Sequence, residues 1–319
     1  MVSPLTTTTG WPPVSSDSAR LERLRALPTE LAAEIKGQDQ ALRRICSVLV
    51  RGELGFAHPR RPRGSFLLVG PTGVGKTETV NVFTALLFNG AAPIRFDMSE
   101  YQLQSSVEKL IGSDRDDRGL LGRALHGVTG GTLLLDEIEK AHSLVLDLFL
   151  QLLEDGRITL ATGETVDVRQ SYVCFTSNIG SEETMRMENA PFASIERTVL
   201  MRVRDRLRPE LVGRINEIVV YGRLNYFTQR AICEAMVSAE LGRLAALGHK
   251  LEICSEAVEF LLRQGYHRML GARPLRGAVE RFLQDALAQR LLGGQTATGK
   301  LVPDPSATQL VFAPNEEAG

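Results

Sequence analysis

Short apolar runs alternate with segments of helical periodicity up to about residue 222. The apolar runs lie at residues 66–69, 94–96, 132–135, 172–176 and 218–221. Because alternating strands and helices pack as a parallel sheet with helices on both faces, this order predicts an α/β domain. Near Gly222 the pattern changes to helices only.

The rest of the chain is predicted to form a small, mostly helical domain. Asn225 and Ser255 are suitable helix caps ahead of apolar residues at helical spacing, and Pro274 suits a first helical turn. The last apolar run, at residues 310–312, is predicted to be a short strand. We therefore divide the chain into a disordered tail (1–20), a large α/β domain (21–222), a small helical domain (223–314) and a frayed end (315–319).

A glycine-rich segment stands between the first apolar run and the helical pattern that follows it. It matches the pattern G-x-x-x-x-G-K-[ST], and its residues are Gly70, Pro71, Thr72, Gly73, Val74, Gly75, Lys76 and Thr77. Such glycines let successive backbone N–H groups curl around phosphate oxygens at a helix N-terminus. Lys76 would reach the β- and γ-phosphates, and Thr77 would supply a hydroxyl ligand to Mg²⁺. The alternative is a simple glycine turn between a strand and a helix.

Two adjacent acids, Asp136 and Glu137, follow the buried run at residues 132–135. Ligands of open α/β sheets lie at the carboxyl ends of the strands, so this pair is expected beside the nucleotide. Asp136 would hold the Mg²⁺ shell, and Glu137 would polarise the water that attacks the γ-phosphate. Asn178 follows the next run and could orient that water or sense the γ-phosphate. The alternatives are a solvated acid pair that opens a helix and an asparagine placed for its turn conformation.

Composition narrows the classes of function. The chain has 319 residues, of which 43% are hydrophobic, but no apolar run is long enough to cross a bilayer, which predicts a soluble protein. Its four cysteines lack metal-binding spacing, as expected of reduced core residues in a cytoplasmic protein. The net charge of −1 argues against a nucleic-acid partner. The densest basic patch is interpreted as a solvated loop, and it consists of Arg51, Arg60, Arg61 and Arg63.

Several further motifs together resemble one family over residues 35–293. The sequence is similar to the second ATPase module of Clp-type AAA+ unfoldases and disaggregases. The matching residues are Gly37 and Gln38, the glycine-rich segment, 136–142 (DEIEKAH), 176–178 (TSN), 208–210 (RPE), Arg214 and Ile215, and 271–275 (GARPL). The resemblance implies a large nucleotide-binding domain with a helical lid, ATP and Mg²⁺ as cofactors, and a ring, usually a hexamer, with ATP at subunit boundaries. It also implies that Ile35 and Gly37 line the adenine pocket.

The resemblance assigns roles to three further polar residues. Asn178 matches the first sensor, and Arg273 matches the second sensor, a lid arginine that contacts phosphate in its own subunit. Arg214 matches the arginine finger that acts on a neighbouring subunit's nucleotide, with Arg208 as the backup candidate. The alternatives are an ordinary surface arginine at 214 and a helix-start residue at 273.

One feature of the family is absent from the sequence. Members that thread polypeptide carry a glycine-aromatic-valine-glycine loop between the second and third core strands. Residues 113–119 read SDRDDRG here, which is several residues shorter and has no aromatic side chain. Because an ATP-driven stroke moves a chain only if the loop holds it, we do not expect conventional threading. The charged loop could engage a partner electrostatically, or it could be a solvated connection.

The function predicted from the sequence is a ring-forming ATPase that couples ATP binding and hydrolysis to remodelling or switching of a specific protein partner. The alternative is a nucleotide-gated oligomeric scaffold with slow hydrolysis, in which bound ATP stabilises the ring. A third hypothesis, an ATPase that acts on DNA, has little support from the charge of the chain.

Overall fold

A parallel sheet of five strands forms the centre of the first part of the chain. The structure is a computed structural model, and it describes residues 17–187, 189–267 and 270–313. The strand order is β2-β3-β6-β1-β7, with β1 at Gly64–Val69, β2 at Ile94–Asp97, β3 at Gly131–Asp136, β6 at Ser171–Ser177 and β7 at Glu217–Val220. All the predicted strands of this sheet are confirmed. Two short strands, β4 (Arg157–Thr159) and β5 (Thr165–Asp167), pair as a separate antiparallel hairpin.

Helices cover both faces of the five-stranded sheet. They are α1 (Asp17–Glu34), α2 (Asp39–Glu53), α3 (Lys76–Leu87), α4 (Ser106–Ile111), α5 (Gly119–Leu125), α6 (Ser143–Asp155), α7 (Ser181–Arg186), α8 (Phe192–Arg206) and α9 (Pro209–Arg214), with 3₁₀ turns at Met98–Glu100 and Ile138–Lys140. Along β1, Phe66 and Leu68 pack with α2 and α3, whereas Leu67 and Val69 pack with α6 and α8 on the opposite face. Because both faces are buried, the strands appear in the sequence as continuous apolar runs.

The amino-terminal boundary differs from the prediction. A disordered tail is expected up to residue 20, but α1 begins at Asp17, so the expectation is wrong for residues 17–20. The remainder of the predicted tail and the predicted frayed end at 315–319 lie outside the described residues. Leu24, Leu27 and Leu31 anchor α1, since all are buried at helical spacing. Pro28 lies inside this helix, and it conceals the helical pattern because proline usually ends or kinks a helix.

The second part of the chain contains a small sheet as well as helices. The helices are α10 (Tyr226–Ala246), α11 (Ser255–Gly265) and α12 (Arg273–Leu292), and the strands are β8 (Lys250–Ile253), β9 (Thr298–Pro303) and β10 (Leu310–Phe312), in the order β10-β9-β8. The domain is mostly helical as predicted, and the short strand at 310–312 is confirmed, but the strands β8 and β9 were not predicted. The sequence pattern misses β8 and β9 because each strand has only one buried residue, Leu251 and Leu301 respectively.

Two of the three predicted helix starts are confirmed. The Asn225 side chain accepts a hydrogen bond from Thr228 N at 2.8 Å and caps α10. Pro274 lies in the first turn of α12. At α11 the cap position belongs to Cys254, and Ser255 is already helical, so this helix begins one residue earlier than expected.

One hydrophobic core joins the two parts of the chain. It combines Leu31 of α1 and Phe66 of β1 with Val237 of α10 and Leu283 of α12.

The four cysteines are free; three are buried and one is partly buried, as expected of reduced core residues: Cys46, Cys174, Cys233 and Cys254. Within the described residues, no helix is both long and apolar enough to span a membrane.

Candidate active site

The glycine-rich loop lies between the end of β1 and the first turn of α3. Gly70, Gly73 and Gly75 have positive φ angles of 134°, 72° and 102°, which side chains rarely allow. At Gly73 there is also no space, because an added Cβ would lie 2.0 Å from Leu270 O. The N–H groups of residues 72–75 donate no hydrogen bond to any described residue. These free donors, beside the N-terminus of α3, fit a phosphate group.

Lys76 is buried at the start of α3, with 8% of its surface exposed. Its Nζ donates to Gly70 O at 2.6 Å, to Pro71 O at 2.7 Å and to Asn178 Oδ1 at 3.1 Å, which uses all its donors. Burial lowers the pKa of Lys76 to about 8, against an opposing effect of the nearby Glu139 carboxylate. A phosphate that binds Lys76 must therefore replace these internal acceptors, and its negative charge would raise the pKa of the lysine again.

Asp136 is buried at the carboxyl end of β3. Its Oδ1 accepts a hydrogen bond from Thr176 Oγ1 at 2.8 Å and lies 3.4 Å from Thr77 Oγ1. Carboxylate and hydroxyl oxygens suit Mg²⁺, so Thr77 and Asp136 fit the predicted metal site. On its other side, Asp136 Oδ2 lies 2.5 Å from Arg95 Nε. The sequence analysis missed Arg95, because only the pairing of β2 with β3 brings it to this carboxylate.

Glu137 and Asn178 lie together at the same edge of the sheet. Glu137 has a φ of 56°, a conformation that non-glycine residues rarely adopt and that often occurs at functional sites. Asn178 Nδ2 donates to Glu137 Oε1 at 3.3 Å, while Asn178 Oδ1 accepts from Lys76 Nζ and, at 3.3 Å, from Thr72 Oγ1. Asn178 thus connects the lysine of the glycine-rich loop to the acid predicted to polarise water.

Glu139 is a second residue that the sequence analysis missed. Its Oε1 accepts the N–H of Asn178 at 3.0 Å, and its Oε2 is buried without a hydrogen-bond partner among the residues described. Glu139 is also the acid with the largest effect on the pKa of Lys76. Its position two residues after Glu137 could have indicated that it lies beside the candidate site. The bond to the backbone of Asn178 means that Glu139 helps to hold the turn after β6 in place.

The second part of the chain contacts the glycine-rich loop directly. Ala272 N donates to Gly73 O at 3.1 Å, which places the start of α12 on the loop. Arg273 is the first residue of α12, its side chain is exposed, and its charge contributes to the lowered pKa of Lys76. Arg273 therefore directly follows the residue that contacts the loop, and its role as the second sensor stays a prediction.

Ile35 and Gly37 are the predicted adenine-pocket residues. Ile35 is buried, and its Cγ2 would lie 3.7 Å from a Cβ added to Gly75. Gly37 has a φ of 72°, and an added Cβ would lie 2.5 Å from Thr228 Cγ2 at the start of α10. Ile35 thus borders the glycine-rich loop and Gly37 borders the start of α10, and their contact with adenine stays a prediction.

Arg214 and Arg208 lie at α9, away from these residues. Arg214 Nη2 is 2.9 Å from both carboxylate oxygens of Glu154, and Arg208 Nη1 is 2.6 Å from Asp147 Oδ1. Both acids belong to α6. Among the described contacts, none joins either arginine to the glycine-rich loop of its own chain. The structure therefore does not bring the predicted arginine fingers into the site of the same protomer.

The short charged loop at residues 113–119 is folded on itself between α4 and α5. Asp114 Oδ1 accepts the N–H of Asp117 at 3.1 Å. Arg118 forms an ion pair with Glu164, next to β5 in the β4–β5 hairpin, at 2.9 Å. Several of the loop's charges thus hold the loop and the neighbouring hairpin together.

Comparison with known proteins decides the family. Residues 61–218 match the model of the AAA domain (Cdc48 subfamily), and residues 226–303 match the model of the C-terminal, D2-small domain of ClpB protein. The chain belongs to the Clp-type AAA+ ATPases. The resemblance inferred from the motifs and the predicted fold class, a P-loop α/β domain followed by a small mostly helical domain, are both confirmed.

The relatives of this AAA+ chain are longer proteins. It is 36% identical over 324 residues to the chaperone protein ClpB of Aquifex aeolicus, a match that covers 97% of this chain and 32% of that relative. A structure of Hsp104 with ATPγS and FITC casein superposes with a TM-score of 0.84 at 30% identity, covering 94% of this chain and 53% of that one. A Saccharomyces cerevisiae Hsp104–ADP complex gives 0.83 at 31% identity, with 93% and 53% coverage. The chain thus spans about a third of the length of ClpB.

Proposed function

We propose that this AAA+ module forms a ring and uses ATP binding and hydrolysis to remodel or switch a specific protein partner in the cytoplasm. The observation that carries the proposal is the hydrogen-bonded chain from Lys76 through Asn178 to Glu137, next to a loop with free N–H groups. This chain links a phosphate-binding group to an acid suited to polarise water. Family relatives named as chaperones support a protein rather than a nucleic acid as the partner.

The proposed reaction assigns one task to each polar group. The N–H groups of residues 72–75 bind phosphate oxygens, and Lys76 leaves its carbonyl acceptors to join them. Thr77 and Asp136 would hold Mg²⁺, which when bound neutralises phosphate charge. Glu137 polarises the attacking water, and Asn178 holds Glu137 and registers the γ-phosphate.

A ring is proposed because the catalytic arginine is not supplied within one protomer. Arg214 points to Glu154 of α6, and the described contacts do not bring it to its own glycine-rich loop. Head-to-tail contacts between identical subunits close a ring and bring this guanidinium to a neighbour's γ-phosphate. We expect a hexamer. Such an arginine accelerates nucleotide hydrolysis by roughly 10³ to 10⁵, so turnover should depend on assembly.

The partner is proposed to be engaged without aromatic threading. Residues 113–119 contain no aromatic side chain, and Arg118 is held by Glu164. A loop fastened in this way suits a specific electrostatic contact better than a sliding grip on any polypeptide. A loop that does not grip polypeptide is also compatible with the second candidate function. In that case the chain is an ATP-gated scaffold, and the assembled ring itself carries out the function.

The first experiment measures ATP hydrolysis per protomer over a wide range of protein concentrations. We expect a steep rise with concentration that Arg214→Ala abolishes. Arg186→Ala is the matched control, because Arg186 is an exposed arginine paired with Glu182 on α7, outside the site. A rate per protomer that is independent of concentration, or equal losses in both variants, would contradict a catalytic arginine supplied by a neighbour.

Glu137→Gln separates the motor from the scaffold. The variant should bind ATP and assemble, but it should not hydrolyse ATP, because the amide cannot polarise water as the carboxylate does. Remodelling requires turnover, so a partner-dependent activity that survives in Glu137→Gln would favour the scaffold. Sedimentation with and without ATP measures assembly, and phosphate release measures turnover.

A further inference from the structure

The ion pair between Arg95 and Asp136 has no role in the proposed reaction. Arg95 lies on β2, the edge strand of the sheet, beside β3. The register pairs Arg95 with Leu134, and Leu134 and Asp136 share one face because alternate strand residues do. The two side chains therefore emerge on the same face, and Arg95 Nε lies 2.5 Å from Asp136 Oδ2.

The two partners of this pair have different environments. The side chain of Asp136 is 6% exposed, whereas that of Arg95 is 55% exposed. Asp136 Oδ2 is buried and accepts no well-aligned hydrogen bond from the described residues, so the 2.5 Å contact with Arg95 is an ion pair rather than an aligned hydrogen bond. Among those residues, Arg95 is the only cation in ion-pair contact with Asp136. Since an uncompensated buried carboxylate is costly, Asp136 needs this cation when no metal is bound.

We propose that Arg95 is a positioning residue that holds Asp136 in the metal-free protomer and competes with Mg²⁺ for it. This inference rests on the proposed function, which assigns Asp136 to the metal. Arg95 occupies one oxygen of the same carboxylate whose other oxygen lies beside Thr77, the second predicted ligand. The metal and the Arg95 guanidinium therefore compete for the negative charge of Asp136, and binding of the metal weakens the ion pair.

The surface beside Arg95 can accommodate its side chain after displacement from Asp136. An open depression lies at the sheet edge, and its lining includes Arg95, Asp97, Glu100 and Tyr101. The two acids can receive the guanidinium when Mg²⁺ takes Asp136. Free Mg²⁺ would gain only a few protein ligands in exchange for this displacement. Mg²⁺ bound to nucleotide is also held by phosphate oxygens, so its binding displaces Arg95 more readily. Arg95 thus favours loading of the metal together with nucleotide.

The test measures the affinity of the full chain for a fluorescent ATP analogue over a series of Mg²⁺ concentrations. In Arg95→Gln, the Mg²⁺ concentration for the half-maximal increase in affinity should fall by about 1.4- to 5-fold, because the competitor is gone. Arg95→Lys keeps a cation and should shift less. Arg115→Gln, in the exposed loop at 113–119, is the matched control and should not shift. Thermal unfolding followed by circular dichroism checks that each variant folds.

A variant with the opposite expected effect covers the case in which Arg95→Gln does not fold. Glu100→Gln removes an exposed negative charge that would attract the displaced guanidinium, so it should raise the half-maximal Mg²⁺ concentration. An unchanged or raised value in a folded Arg95→Gln, or an unchanged value in Glu100→Gln, overturns the proposal. If the wild-type affinity does not depend on Mg²⁺, the failure lies instead in the assignment of the metal to Asp136.

Discussion

The ion pair between Glu154 and Arg214 predicts how readily subunits assemble into an active ring. Arg214 Nη2 lies 2.9 Å from both Glu154 oxygens, and the two side chains are 27% and 53% exposed. An exposed pair of this kind contributes about 0.2–1 kcal/mol. The pair must break before Arg214 can reach a neighbour's phosphate. In Glu154→Gln, each productive subunit contact should therefore become more favourable by the same amount, or about 1.4- to 5-fold in its equilibrium constant.

The assay is ATP hydrolysis per protomer over a series of protein concentrations. The half-maximal concentration should fall by about 1.4- to 5-fold in Glu154→Gln, while the maximal rate stays the same. Asp147→Asn is the matched control on α6, because Asp147 pairs with Arg208 at 2.6 Å. A shift in Asp147→Asn alone would assign the finger to Arg208. A fall in the maximal rate of Glu154→Gln as large as that of Arg214→Ala would refute the reasoning, since Glu154 would then orient the arginine.

Asn178→Ala removes the link from Lys76 to the catalytic acid, so kcat should fall by about 10²-fold while nucleotide affinity, measured by fluorescence, changes much less; an unchanged kcat would contradict the sensor role. Gly73→Ala should destabilise the chain by about 1–3 kcal/mol in chemical denaturation, because its Cβ meets Leu270 O. Gly90→Ala has a similar positive φ but no neighbour within 4 Å, so it should cost less, and equal losses would argue against the clash. Nucleotide affinity should fall as the pH rises above 8, because the pKa of Lys76 is lowered to about 8 and phosphate prefers the protonated lysine. Binding titrations should show this slope and Lys76→Ala should lack it, whereas a wild-type affinity independent of pH would count against the argument.

The main sheet could be predicted from the sequence because its strands are buried on both faces. Such strands appear as continuous apolar runs, as in β1 and β6. The small sheet could not be predicted in the same way, since β8 and β9 each have one buried residue and otherwise carry polar or partly exposed positions. The start of α1 was missed for a different reason, because Pro28 interrupts a helical pattern that tertiary packing nevertheless stabilises.

The residues of the candidate site also differ in how readily they could be predicted from the sequence. The glycine-rich loop and the pair Asp136 and Glu137 are local patterns, because consecutive residues must adopt one backbone arrangement around phosphate and metal. Arg95 and Glu154 act through partners that are distant in the sequence, and only strand pairing and the packing of α6 with α9 reveal them. Partners of catalytic groups are therefore harder to predict than the groups themselves.

The charged groups that the reaction needs already have internal partners in this protomer. Lys76 donates to backbone carbonyls, Asp136 is paired with Arg95, and Arg214 is paired with Glu154. In the proposed reaction, nucleotide, metal and a neighbouring subunit each replace one of these partners, so each step exchanges one interaction for another and its net gain is small. The proposed turnover requires all the exchanges together. Hydrolysis should therefore stay low in the separate protomer and rise only when nucleotide, metal and neighbour are present at once.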